Sequence, residues 1–424
     1  MTGTPAESAV RKASRRLIPF LVLCYAVNFL DRVNVGFAAL AMNEDLGFTP
    51  EIFGFGAGIF FIGYILFEIP SNLALHKFGA RIWIARIMIS WGLVATAMGF
   101  ITDATSFYAL RFALGVAEAG FFPGIILYLT YWFPKAERAR IVSLFMTAVP
   151  FATVFGGPLS GALLGLHGFL GADGWRWLFV IEGVPAVLLG FIALRLLTDR
   201  PKDAEWLTAE ERDALDQRLA AEAEETRAHG YAGIGEALAN PRVIQLGLVY
   251  FCLVVGLYGI GFWMPQVLQT FGLSNLAIGF LTAILYLIAG RHSDAKGERI
   301  WHVALPLFLS GAAFAWSANA GPLPLVILAL SLAALGLYAA IGTFWSLPTS
   351  ILTGTGAAAG LALINSIGNC GGFVGPVIVG QLKGATGDFT AALLFLAGAL
   401  ALAGALALHF GQVEDRRRRA RGAA

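Results

Sequence analysis

The sequence predicts an all-α polytopic membrane protein built as two six-helix halves, and three observations predict it. Of its 424 residues 58% are hydrophobic and 13% charged, with a mean hydropathy of +0.73, against about 25% charged residues in an ordinary soluble domain. Apolar stretches recur along the whole chain at about the 20 residues that one crossing of a bilayer requires. Lys and Arg gather in the N-terminal tail, in alternate connections and in the C-terminal tail, Arg416 to Arg419 and Arg421. By the positive-inside rule that pattern puts both termini in the cytoplasm.

Twelve spans are expected, near 17–40, 52–74, 82–101, 106–133, 141–166, 177–197, 243–271, 276–289, 301–318, 322–345, 358–382 and 389–411. Arg11, Lys12, Arg15 and Arg16 precede the first, like the basic start of a signal peptide, but the run is long and holds Asp31-Arg32, so it reads as an uncleaved span. The chain therefore divides into an N-terminal six-helix half (1–197), a cytoplasmic linker helix (198–242) and a C-terminal six-helix half with a basic tail (243–424). In the linker, Thr208 and Glu211 have capping-box spacing, and its charges read as a solvated face. Cys24, Cys252 and Cys370 lie in apolar runs and read as core residues rather than a disulfide framework.

The halves repeat one another. Gly79-Ala80-Arg81 and Gly297-Glu298-Arg299 are 218 residues apart, as are Gly157-Pro158 and Gly375-Pro376. Gly47-Phe48-Thr49 and Gly272-Leu273-Ser274 are 225 apart, so seven residues are missing from the eighth span. Its remaining 14 residues rise about 21 Å, short of a hydrocarbon core of about 30 Å.

Charge inside a membrane is costly, which makes each intramembrane charge a functional candidate. Six stand out: Asp31, Arg32, Glu68, Arg111, Glu118 and Glu182, all in the first half. Asp31 and Arg32 point about 100° apart on a helix and need not pair with each other; Arg32 is suited to holding a carboxylate and Asp31 to taking a proton. Arg111 and Glu118, seven residues apart, share a face and can line one cavity. Glu68, before Pro70, and Glu182, before Pro185, read as gate or packing residues. The second half contributes neutral candidates: Tyr258, Trp263, Trp345, Ser346, Asn365 and Asn369. Gly120/Gly124, Gly157/Gly161 and Gly371/Gly375 have the spacing that lets helices approach closely. No GxxxxGK[ST] loop, metal-ligand spacing or catalytic triad is present, so neither an ATP-driven pump nor an enzyme is expected, and no cofactor.

Four segments carry a family resemblance: NFLDRVNVGFA (28–38), RFALGVAEAGFFPG (111–124), GWRWLFVIEGVPA (174–186) and GRHSDAKGER (290–299). With them, from about Leu17 to Phe410, the chain resembles the major facilitator superfamily, and within it the anion:cation symporters. In the first half NLALHKFGAR (72–81) carries Asn72 and His76 where the loop motif has Gly and Asp.

The resemblance implies the major facilitator fold, two parallel halves each made of inverted repeats, and import of a small organic anion with protons across a bacterial inner membrane. It matches Asp31, Glu118 and Arg111 to proton coupling, and Arg32, Tyr64, Trp345 and Asn365 to substrate contact. Gly290, Asp294, Gly297 and Arg299 match the gating loop motif. The expected partners are the anion, protons and lipid, with no nucleic acid, and the expected state is a monomer. Phe29 and Val149 stand where sugar-acid carriers have a tyrosine and a glutamine, which points to a less hydroxylated or an aromatic acid. The alternative is an impaired or non-transporting homologue that senses an organic acid.

Overall fold

The computed structural model describes residues 4–228, 240–290, 299–348 and 354–422. Helix α1 (Pro5–Val33) opens on a capping box in which Thr4 Oγ1 accepts from the Glu7 amide and Glu7 Oε2 accepts from the Thr4 amide, with Pro5 in the first turn. It ends at Asn34, and α2 (Val35–Asp45) continues the same crossing to the turn at Gly47. Then come α3 (Pro50–Phe78), α4 (Ala80–Ala97), α5 (Ala104–Glu118), α6 (Phe121–Trp132), α7 (Lys135–Met146), α8 (Ala148–Leu163) and α9 (Gly174–Leu196). Beyond the linker helix α10 (Ala209–Ala228) lie α11 (Pro241–Gly261), α12 (Met264–Gln269), α13 (Asn275–Gly290), α14 (Arg299–Ser317), α15 (Leu323–Phe344), α16 (Gly354–Thr386) and α17 (Thr390–Gly422). No strand occurs among the described residues.

Eleven helical segments among the described residues are long and apolar enough to cross a membrane, and each overlaps one expected span. The expected eighth span is α13, of which 16 residues are described, a rise of about 24 Å. The duplicated unit is visible in the backbone as well. Gly47 (φ 64°) and Gly272 (φ 71°) occupy the same left-handed turn at the predicted offset, a conformation that a side chain would penalise.

Hydropathy is blind to backbone breaks, and four expected spans are broken, the first at Asn34 and the fifth at Thr147 among them. The fourth divides at Ala119–Gly120, where Gly120 has φ 83°, and a Cβ there would sit 2.7 Å from Ser71 Cβ. Gly120 is therefore a helix break as well as a point of close approach to α3, and a Cβ on Gly124 would likewise lie 2.7 Å from Leu75. The seventh divides at Phe262–Trp263, just before Pro265.

The chain forms two compact units. The first comprises 1–34, 62–156 and 163–229, the second 35–61, 157–162 and 230–424. In the first, α4 lies against α9, where a Cβ on Gly183 would fall 2.7 Å from the Thr96 amide nitrogen. The linker docks in the same unit. The Thr208–Glu211 capping box is present, and Glu211 also accepts from Ser8 Oγ (2.8 Å) and Lys12 Nζ (2.8 Å). Glu222 accepts from the Lys135 amide at 2.8 Å, and Trp206 stacks on Trp132 at 5.3 Å. The linker's acids are thus partly engaged rather than uniformly solvated.

In the second unit α11 packs along α16, with Gly375 against the Val255 carbonyl, while α3 meets α16 where a Cβ on Gly54 would lie 2.6 Å from the Pro376 oxygen. Gly157 approaches Gly279 as closely, with a Cβ 2.5 Å from its carbonyl oxygen. Cys24 and Cys252 are buried as expected, whereas Cys370 is exposed.

Candidate functional site

The intramembrane charges of the first unit assemble around the upper part of α1. Asp31 and Arg32 diverge, as their helical spacing requires. Asp31 is buried, and its Oδ2 accepts from Trp91 Nε1 of α4 at 2.7 Å. Arg32 turns toward α5, where its Nε donates to Glu118 Oε1 at 2.9 Å and its terminal nitrogen reaches the same oxygen. Glu118 has no exposed surface, and its position as the last residue of α5 comes from the break at Gly120 that follows it. The guanidinium also lies 5.4 Å from the centre of the Tyr64 ring on α3, a cation–π contact.

Arg111, two turns before Glu118, is fully buried and within electrostatic range of both Glu118 and Arg32. Glu182, on α9, is buried and within electrostatic range of Asp31. Glu68 is buried too, and couples electrostatically to Tyr64. Burying bare charge costs several kcal/mol per ion unless it is paired or neutralised. Asp31, Glu68, Glu118 and Glu182 set four carboxyls against the guanidiniums of Arg32 and Arg111, which leaves carboxyls in excess. This arrangement can exchange a proton at an acid, and it can offer a guanidinium to an anion once its present partner lets go.

Trp345 and Asn365 belong to the second unit. Trp345 caps α15 and meets Tyr250 edge-on at 5.0 Å, and Gly368, one turn after Asn365, packs on the same Tyr250 ring. Tyr258 meets Phe61 edge-on and stacks on Phe262. Trp263 is a core residue, buried between Phe53 and Phe389 with its Nε1 donating to the Pro376 carbonyl at 3.3 Å. Of the loop motif, Gly290 closes α13 and Arg299 opens α14, while Asp294 and Gly297 lie outside the described residues. Among the described residues no group of three His, Cys, Asp or Glu side chains could hold a metal ion.

Sequence reasoning missed Trp91. An indole inside a span reads as packing, and only its bond to Asp31 sets it apart. Asn28 and Asn34, both buried, were equally silent inside the motif that contains them.

Comparison with known proteins fits this geometry. The chain matches the Major Facilitator Superfamily over residues 21–376. It is 52% identical over 396 residues, 92% of this chain and 91% of the other, to a protein of Agrobacterium vitis named "Putative tartrate transporter". It is 42% identical over 399 residues, 92% of each chain, to the quinolone resistance transporter of Acinetobacter baumannii. In fold it is similar to the partially occluded, inward-open xylose transporter XylE of Escherichia coli, with a TM-score of 0.75, 14% identity and coverage of 95% of this chain and 98% of that one. The chain belongs to the Major Facilitator Superfamily, and it is a multi-pass membrane transporter rather than an enzyme.

Proposed function

We propose that the protein imports a small organic carboxylate together with protons across the bacterial inner membrane by alternating access, with both termini in the cytoplasm. The observation that carries this reading is the bond between Arg32 and Glu118. An incoming carboxylate and Glu118 compete for one guanidinium, so protonating Glu118 frees Arg32 for the substrate. Discharging Glu118 returns Arg32 to it and expels the substrate, which couples the two flows without direct contact between proton and anion.

Asp31 is the second proton site, held apart from Arg32 by Trp91. Tyr64 braces the guanidinium, Arg111 balances the charge around Glu118, and Trp345 and Asn365 contribute the second half's contacts to the substrate. Gly290, Asp294, Gly297 and Arg299 form the gating loop. The relative named for tartrate, together with the apolar Phe29 and Val149, favours a short dicarboxylate or an aromatic acid over a sugar acid.

The test is proton co-uptake by purified protein in liposomes loaded with a pH dye, challenged with tartrate, benzoate-type acids and sugar acids. Internal acidification with one class, absent from empty liposomes, is expected. The competing reading, an impaired homologue that only senses its acid, draws on the 16-residue α13. It predicts ligands that stabilise the protein thermally and move no protons.

A further inference from the structure

Helix α1 carries a polar ridge that the coupling scheme leaves unexplained. Asn28, Asp31 and Asn34 follow one another at three-residue spacing and are 0%, 1% and 1% exposed. Four of their polar atoms have no hydrogen-bond partner among the described residues: Asn28 Nδ2 and Oδ1, Asp31 Oδ1 and Asn34 Nδ2. A buried amide without a partner costs roughly 1–3 kcal/mol, and in native proteins such groups are usually satisfied by ordered water. Four on one ridge form a pattern.

The spacing suits single waters. Three residues of helix rise about 4.5 Å and place Cβ atoms about 5–6 Å apart, a gap that one water spans with two hydrogen bonds of about 2.8 Å each. The ridge is closed at one end. Tyr25, one turn before Asn28, stacks on Phe145 at 4.8 Å and lies 5.5 Å from Phe122 and 6.5 Å from Phe121. At the other end it reaches Asn34, where α1 stops and α2 begins.

We infer that Asn34, Asp31 and Asn28 form a file of polar groups joined by single waters, along which a proton reaches the Asp31 carboxyl from the α2 end of the first span. This rests on the reading of Asp31 as a proton carrier. In the charging step a hydronium in the file gives one proton to Oδ1 of ionised Asp31. The new O–H bond forms as one O–H bond of the hydronium breaks, leaving neutral water, and discharge runs the reverse.

The other groups facing Asp31 leave this route clear. Trp91 on α4 occupies Oδ2, and Arg32 is committed to Glu118. Glu118 on α5 and Glu182 on α9 act on Asp31 through space, and α6 and α7 bring the aromatic plug around Tyr25. Asn34 and Asn28 are positioning residues: they hold water and take no proton themselves.

The test is hydrogen–deuterium exchange at the Asp31 carboxyl, followed by its infrared band in purified protein and assigned by its loss in Asp31→Asn. Net proton-driven tartrate uptake and tartrate counterflow are measured in parallel. Asn34→Leu is expected to slow carboxyl exchange and net uptake by about tenfold or more while counterflow persists, and Asn34→Ser, which can still hold a water, restores both. Asn28→Leu gives a smaller slowing in the same direction.

Wild-type exchange in Asn34→Leu, or equal loss of counterflow and net uptake that serine does not rescue, overturns the file. Should Asn34→Leu not be recovered folded, unchanged exchange in Asn28→Leu overturns it as well. A wild-type protein with no protonated Asp31 band at any pH sinks the proton-carrier reading itself, whereas a band whose exchange ignores both asparagines removes the file alone.

Discussion

Glu118 is wholly buried and bonded to the Arg32 guanidinium, so on the proposed scheme its two protonation states differ in what they let Arg32 do. Glu118→Gln keeps the shape and removes the switch. Net proton-driven uptake is expected to fall by about 100-fold or more while tartrate counterflow persists, both read in liposomes. Loss of counterflow along with net uptake would show that Glu118 binds rather than couples. Trp91→Phe keeps the ring and deletes the donor to Asp31. A charge-assisted hydrogen bond of this kind is worth about 1.5–3 kcal/mol, so a lower melting temperature and roughly tenfold slower uptake are expected, with substrate affinity unchanged. The charged members of the site were legible in the sequence because charge inside an apolar run is conspicuous. Their pairing was not: Arg32 and Glu118 are 86 residues apart, and nothing local says that the Arg32 guanidinium reaches Glu118. Trp91, Asn28 and Asn34 carry no charge and left no signal.

Elements were legible to the extent that periodicity and caps define them. The crossings, the Thr208 cap and the short α13 could be read directly, since each depends on residues close in sequence. The breaks at Asn34 and Gly120 could not, because a break lies in the backbone and apolar residues run straight through it. The linker yields a pH prediction. Hydrogen bonds from Lys12, and then from the Thr208 amide and Ser8, hold the Glu211 carboxyl down to about 2 against the ordinary 4.5. A depressed carboxyl contributes stability that is complete above its unfolded value and lost as pH falls through its folded value. The melting-temperature gap between wild type and Glu211→Gln should therefore be constant from about pH 5 to 8, narrow as pH falls below about 4.5, and close only near pH 2, as thermal melts across pH would record. A gap that widened on acidification would contradict the pairing. For α13, seven apolar residues inserted after Ala289 restore a full crossing. Higher expression and faster uptake are expected, and no change in either would mean that the short helix carries no penalty.

At the scale of the whole molecule, chain order and compact unit are different things. Residues 35–61 and 157–162 precede the linker, yet they pack with 230–424 in one unit. The contact of Gly54 with Pro376 and Gly380 is tight enough that a Cβ would meet the Pro376 oxygen at 2.6 Å and the Gly380 Cα at 3.1 Å. If the proposed alternating-access cycle works this seam, it closes and opens in every cycle. Gly54→Leu is expected to leave the protein folded and able to bind its substrate while slowing uptake by tenfold or so, because overpacking a tight contact costs about 1–3 kcal/mol. Uptake at the wild-type rate would show that the seam need not close.

The same seam sets a timetable for synthesis. Gly54 and Gly380 are separated by 326 residues, and a ribosome adds about 5–20 residues per second, so the outer part of the second span waits roughly 16–65 s in the membrane before its partner is made. Throughout that interval its small-residue face is uncovered, and a newly inserted copy or a membrane chaperone can reach it. Nascent chains stalled before residue 354 should therefore crosslink through position 54 to other membrane proteins, and chains released after residue 386 should not.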